Sequence, residues 1–491
     1  MSSFLAIDVG TSAVKVAMYD GNGKLLISKR EAYPVSFPKA GWAEQNPNDW
    51  WMATQKLCQL VRQEIGYSSL RGVCISGQAP SCVPVDLNGN PLRPAILWLD
   101  RRADDQVAAL QNKLDKGVAE HINGNRLDGY FGGLKWSWYR HNERDLYDKT
   151  WKLSQANSFI TFHLTNSFAV DPGQAGLCAP CFNLENHHWD RKLIEDINLD
   201  IEKLPEVKQS WEIIGEVTRL GATKTGIPVG TPVVCGGGDF ACACLGAGVF
   251  HEGKAAMMLG TGGNLLIPKT KSYDTRLINT IHLTGESLSL GGVLAGGSVQ
   301  WFRDMLGIDD PNLLASLEGE AAQMPPGAEG LIFLPYLMGE RTPVWDARAR
   351  GVFIGLSSTH KRGHLFRAVL EGVAFAYQQM MDVSVEMGSQ IKEIIAINGG
   401  ARSALWRQIF ADVLGVPIRW RPSSEGTSLG AAFLTALGVG DFSEFGEINA
   451  WLEPTINTYP DEANADIYRN RYNVYSQLYT NLRDIFVELN S

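Results

Sequence analysis

Residues 5–20, LAIDVGTSAVKVAMYD, set an apolar run, a Gly-Thr-Ser turn and a second apolar run in succession. Residues 255–268, AAMMLGTGGNLLIP, repeat that order with Gly-Thr-Gly at the turn. Each stretch reads as a pair of strands joined by a tight glycine turn. Thr11 and Thr261 stand 250 positions apart (261 − 11), about half of the 491 residues. An echo at that distance predicts two related halves. Strands and helices alternate in the sequence around both stretches, which predicts α/β layers.

The rest of the chain supports layered α/β structure. DGNGK at Asp20–Lys24 supplies a hairpin turn and a third N-terminal strand. A helix is expected near Asp49–Ile65, then a strand in RGVCISGQAP (71–80) and a hairpin with another edge in VDLNGNPLRPAILWLD (85–100). Ile394–Ile397 runs into Gly399 and Gly400 and then a helix with Leu405, Ile409, Val413 and Leu414 on one face. A strand, a glycine turn and a helix N-terminus in that order face anions naturally. Tyr468, Tyr472, Tyr475 and Tyr479 recur at helical spacing and predict a C-terminal helix docked on the body.

Length alone predicts more than one core. A hydrophobic content of 45%, a charged content of 20% and a net charge of −9 describe an ordinary acidic globular chain. No basic face argues for nucleic acid as the partner. No apolar run reaches the length of a membrane span, and the N-terminus has no charged-then-apolar leader, so the expected location is cytoplasmic. The 8 cysteines match no zinc spacing and read as small buried hydrophobes.

Residues 231–248, TPVVCGGGDFACACLGAG, hold the chemistry. Val233 and Val234 read as a buried strand and Ala241–Ala247 as a helix start. Three readings of Asp239 between them compete. It is an N-cap; or Gly236, Gly238 and Ala241 form a dinucleotide loop; or it is a catalytic carboxylate at a helix mouth. The second fails, because no acidic residue follows about 20 positions on to hold a ribose. DVGTS and LGTGG then offer two hairpins whose N–H groups can cradle phosphate, with Asp8 as a carboxylate for a metal. No P-loop pattern is present.

In GWAEQNPNDWW (41–51), NGNPLRPAILWLDRRA (88–103), GGGDFACACLGAGV (236–249), LGTGGNL (259–265), GERTPVWDARARGVFIGLS (339–357) and NGGARSALWRQIFADVLGVPI (398–418), the chain resembles the FGGY carbohydrate kinases, as a xylulokinase-like member. The resemblance runs nearly end to end. It implies two actin-like (ribonuclease H-like) α/β domains with an interdomain nucleotide cleft: residues 1–246 with the sugar site and catalytic Asp, and residues 247–491 with the adenosine site. The implied reaction is ATP-dependent phosphorylation of a sugar hydroxyl, on a ketopentose or a related ketose or polyol. By resemblance, Asp239 is the general base and Asp8 orders Mg²⁺. Thr11, Ser12, Lys15, Thr261, Gly262, Gly296, Gln300, Gly399, Gly400, Ala401 and Ala404 bind ATP. Gln78, Ala79, Trp98, Asp100, Arg102, Asp239 and Phe240 face the sugar. A homodimer is expected.

The departures from the family pattern gather where the sugar should bind. GQAPSC stands where xylulokinases resemble GQMHG, so Ala79 and Pro80 replace two expected contacts. Phe240 stands where Asn usually follows the catalytic Asp, and YFGGLKWSW alters the stretch before Lys135. Fewer polar groups predict an acceptor other than D-xylulose. The alternative is a non-catalytic or chaperone-like ATP-binding module on the same fold, which has no use for Asp239 as a base.

Overall fold

The computed structural model describes residues 2–110, 115–269, 272–308, 310–422 and 426–489. It divides into two compact units. Unit 1 is Met1–Phe250, Asn279–Leu288 and Ser424–Leu452, and unit 2 is His251–Ile278, Ser289–Ser423 and Glu453–Ser491.

Unit 1 is built on six strands: β1 (Ser3–Val9), β2 (Ala13–Asp20), β3 (Leu25–Ala32), β4 (Leu70–Gly77), β5 (Ile213–Glu216) and β6 (Pro232–Gly238), in the spatial order β3–β2–β1–β4–β6–β5. The hairpin β1–β2 is antiparallel, β1, β4 and β6 are parallel, and β5 returns antiparallel at the edge. In unit 2, β7 (Lys254–Leu259), β8 (Gly263–Lys269), β9 (Glu393–Ile397), β10 (Ile418–Trp420) and β11 (Ile456–Thr458) adjoin in the order β8–β7–β9–β10–β11. Here too the hairpin is antiparallel, the next two pairings are parallel and the last is antiparallel. The run β2–β1–β4–β6–β5 in unit 1 and the run in unit 2 therefore share one topology, with the Thr11 and Thr261 turns at corresponding corners.

The central strands of both sheets are apolar on both faces, as parallel strands covered by helices must be. Phe4, Leu5, Ile7, Val73, Ile75, Val233 and Val234 are all fully buried in unit 1. The helix near residue 50, α1, spans Pro47–Glu64, with Asn46 as N-cap accepting from the Asn48 N–H and Pro47 at the first helical position. The expected hairpin at 85–100 is reduced to isolated bridges. Val83–Val85 pairs instead with Lys152–Ser154, and Ala95–Ile96 pairs with Glu44–Gln45.

The small residues after Asp239 answer to packing. They form α2 (Asp239–Gly246), which crosses α3 (Gly426–Gly438) at backbone contact. A Cβ on Gly430 would stand 2.0 Å from the Cys242 carbonyl oxygen, and one on Gly246 1.9 Å from the Gly426 oxygen. Only glycine permits that approach.

In unit 2 the tyrosine stripe lies on α4 (Glu462–Leu489). Tyr468 and Tyr475 are buried, and the Tyr468 hydroxyl bonds both Arg367 and Glu371, 2.8 and 2.9 Å away. The Tyr479 hydroxyl donates to Asp346 over 3.0 Å.

Candidate active site

The carboxyl ends of β1, β4 and β6 are aligned row by row. Asp8 pairs with Ser76 and Ser76 with Gly237; Val9 pairs with Gly77 and Gly77 with Gly238. Ligands of open α/β sheets bind beyond such strand ends. Gln78 and Asp239, each one residue past a row, emerge on neighbouring strands whose axes lie about 4.8 Å apart.

Asp239 reaches this place by a backbone route that glycine makes possible. Gly236 sits at a register break in β6 with φ +74°, and a Cβ there would lie 2.0 Å from the Ile75 carbonyl oxygen. Gly238, not Asp239, is the N-cap of α2, which corrects the capping reading. Asp239 is the first helical residue, and its Oδ1 accepts from the Phe240 N–H over 2.7 Å. The side chain is only partly shielded from solvent, yet the burial of its surroundings, reinforced by the Asp8 charge, pushes its pKa up to about 7. The Phe240 N–H opposes that shift. Phe240 is itself buried, with its ring folded back over Gly238.

Asp8 accepts from the Ser76 hydroxyl over 2.8 Å and is cross-strand neighbour to Lys15. Burial raises its pKa, while Ser76 and the Lys15 charge pull it down. The Asp8 charge raises the cost of ionising Asp239, a setting that a divalent cation relieves. Among the described residues no group of three or more His, Cys, Asp and Glu is placed to hold a metal. Mg²⁺ typically takes only one or two carboxylates and fills its shell with water and phosphate oxygens, so Asp8 fits it.

The Thr11–Ser12 turn is closed by a Gly10 N–H to Ala13 carbonyl bond of 3.1 Å. Tyr33 clamps it, donating its hydroxyl to the Gly10 carbonyl and its N–H to the Ser12 carbonyl. Arg30 reaches the Ser12 hydroxyl at 3.2 Å, and the Trp98 indole donates to Thr11 Oγ1 at 3.0 Å. Trp98 is thus brought against the turn. Ala79 is buried beside Gln78.

Asp100 and Arg102 form a fully buried bidentate pair of 2.9 and 2.8 Å, and Asp100 also accepts from the backbone N–H groups of Ala43 and Arg102. Arg102 further pairs with Glu44 at 2.8 Å and stacks on Trp42, 3.7 Å from its ring centre. These contacts fix the loop that carries Trp98.

In unit 2 the Gly260–Gly262 turn abuts α5 (Gly296–Met305), through Gly296 N–H to Gly260 carbonyl and Gly297 N–H to Thr261 carbonyl bonds of 2.8 and 2.9 Å. Gly400 packs on the end of β7, where a Cβ would lie 3.0 Å from the Leu259 oxygen. Thr261, Gly262, Gly296, Gly399 and Gly400 therefore gather at one end of that sheet. Ala401 points into the core, Ala404 is exposed at the start of a helix capped by Ser403, and Gln300 turns along its own helix to Asp304 at 2.6 Å.

Sequence reasoning missed Ser76, Tyr33 and Gln45. The strand that carries Ser76 is legible in the sequence, but its register against Asp8 is not.

This arrangement is that of a phosphotransferase of the sugar-kinase class. Residues 3–246 match the N-terminal domain, and residues 255–439 the C-terminal domain, of the FGGY family of carbohydrate kinases; the chain belongs to that family. It is 31% identical to a xylulose kinase of Staphylococcus xylosus, over 98% of this chain and 100% of that one. It is 27% identical to a gluconokinase of Bacillus subtilis, over 99% and 98%. Among solved structures it resembles xylulose kinase from Rhodospirillum rubrum, with a TM-score of 0.91 at 30% identity and 99% coverage of both chains. Gluconate kinase from Lactobacillus acidophilus gives a TM-score of 0.93 at 26% identity, again over 99% of both. The chain is an enzyme that phosphorylates a sugar at the expense of ATP, which decides against the non-catalytic alternative. No helix among the described residues is long and apolar enough to cross a membrane.

Proposed function

We propose that the acceptor is a ketopentose or a related ketose or polyol, and that Asp239 is its general base. The observation that carries this reading is the placement of Asp239 beside Gln78 and Asp8 at the carboxyl ends of three parallel strands, with a pKa near neutrality. As the acceptor oxygen bonds to the γ-phosphorus and the bond to the leaving ADP oxygen breaks, the hydroxyl proton passes to Asp239. A loose transition state asks for position and charge neutralisation more than for a strong base. Thr11, Ser12 and Lys15 serve the phosphates with Thr261 and Gly262. Gly296, Gln300, Gly399, Gly400, Ala401 and Ala404 serve the rest of the nucleotide. Asp8 would hold Mg²⁺, which supplies charge neutralisation on the phosphates.

Gln78, Ala79, Trp98 and Phe240 face the sugar, with Asp100 and Arg102 bracing Trp98. Ala79 and Phe240 offer no polar group from their side chains, which favours an acceptor other than D-xylulose. Residues 1–246 carry the sugar site and residues 247–491 the adenosine site, although Asn279–Leu288 and Ser424–Leu452 pack within unit 1, and the enzyme works in the cytoplasm as a homodimer, without nucleic acid. ADP release measured across pentuloses, hexuloses, pentitols and gluconate tests the substrate. Preference for D-xylulose over the whole panel would overturn the specificity reading.

A further inference from the structure

Gln45 uses its whole hydrogen-bonding capacity. Its Nε2 donates to the Thr11 carbonyl at 2.7 Å and the Pro34 carbonyl at 3.3 Å, and its Oε1 accepts from the Trp50 indole at 3.2 Å and Gln78 Nε2 at 2.9 Å. The indole can only donate, and the two carbonyls can only accept, so the orientation of the Gln45 amide is fixed from both ends. Gln78 must then turn its NH₂ toward Gln45. Its own Oε1 is left buried and without a partner, on a side chain that is 1% exposed. Such an acceptor has given up its hydration without a hydrogen bond in return. That oxygen belongs to the residue emerging beside Asp239.

We propose that Gln45, locked by Trp50, is a positioning residue that presents Gln78 Oε1 as a hydrogen-bond acceptor to one hydroxyl of the sugar, a role that rests on the sugar-kinase reading of this site. The polarity is specific. Because Gln78 Oε1 can only accept, the group opposite that oxygen must be a hydroxyl and not a carbonyl. The amide chain also runs to the Thr11 backbone, so the sugar contact and the Thr11–Ser12 turn share one brace.

The test takes the best acceptor among the pentuloses and pentitols and compares it with its monodeoxy analogues. The readout is the ratio of kcat/KM for parent over analogue, which does not depend on the fraction of enzyme that is folded. In the unaltered enzyme one analogue loses about tenfold or more beyond the others, as expected when a buried acceptor is left unpaired. Gln78→Leu and Gln45→Leu each bring that ratio below about threefold. Gln45→Glu keeps an oxygen toward Trp50 and Gln78, so it retains most of the ratio even where its kcat falls through loss of the bond to Thr11. Equal ratios in all four enzymes would overturn the brace while leaving the kinase intact. Absence of turnover with every acceptor of the panel would sink the substrate reading, and this contact with it.

Discussion

Gln78 and Asp239 leave the sheet side by side, because the residues before them, Gly77 and Gly238, are a register pair of the parallel strands β4 and β6. One residue supplies the amide oxygen that lacks a partner and the other the carboxylate with the raised pKa. The groups proposed to bind the sugar and to accept its proton are thus tied to the buried ends of two central strands of unit 1.

The pKa of Asp239 sets a pH dependence. Below about 7 the carboxyl is protonated in the free enzyme and cannot accept the hydroxyl proton. We expect kcat/KM for the sugar to rise about tenfold per pH unit below that value and to level off above it. The acid limb should be absent from whatever residual activity Asp239→Asn retains.

The same shift has a stability consequence of opposite sign to the usual carboxylate case. A folded pKa above the ordinary aspartate value of 3.8 means that the folded state binds more protons than the unfolded one, so this group's contribution falls as pH rises from about 4 to about 7. Asp239→Asn should therefore melt about 2–4 °C higher than the parent at pH 8 and at nearly the same temperature at pH 4. Differential scanning calorimetry at the two pH values checks this, and a lower melting temperature at pH 8 would contradict it.

Gly430→Ala should destabilise unit 1 by about 1–3 kcal/mol, since the added methyl meets the Cys242 carbonyl at 2.0 Å and must push α3 away from α2. Thermal melting gives the loss. Because α2 begins at Asp239, sugar turnover should fall along with stability.

Asp100 accepts four hydrogen bonds in a site closed to solvent. Asp100→Ala leaves Arg102 with Glu44 as its remaining carboxylate and the Ala43 and Arg102 backbone N–H groups without their acceptor, and should cost about 3–5 kcal/mol, a loss read by urea unfolding. A folded, fully stable variant with a changed sugar KM alone would instead make this pair a direct substrate contact.

Arg367, Glu371 and Tyr468 form a buried triad that docks the C-terminal helix α4 in unit 2. Tyr468→Phe removes two hydrogen bonds and should cost about 1–2 kcal/mol, whereas Arg367→Leu leaves Glu371 without its cation and should cost about 3–5 kcal/mol. Hydrogen exchange along α4 distinguishes local undocking from global unfolding.

Much of this was legible in the sequence because its signals are local. The Thr11 and Thr261 hairpins, the helix expected near Asp49–Ile65 and the tyrosine stripe each carry their pattern within a short stretch. What escaped depends on register or on distant partners. Gln45 meets Gln78 33 positions away and Gly246 meets Gly430 184 positions away (430 − 246), and no spacing rule links either pair. Asp239 was open to reading as a cap because Asp is a favoured one. The run of glycines before it let the chain turn one residue earlier, so that Gly238 took the cap and Asp239 was left to its chemistry. The 85–100 segment reads as a hairpin by composition, but its strands are short and find partners at Glu44–Gln45 and Lys152–Ser154.

The most direct measurement is sugar-stimulated ADP release by Asp239→Asn, with ATP affinity followed in the same preparation by calorimetry. The account predicts a fall in kcat of about 10²–10⁴-fold with ATP binding unchanged within about twofold. Turnover within about threefold of the parent enzyme, at equal ATP affinity, would contradict it.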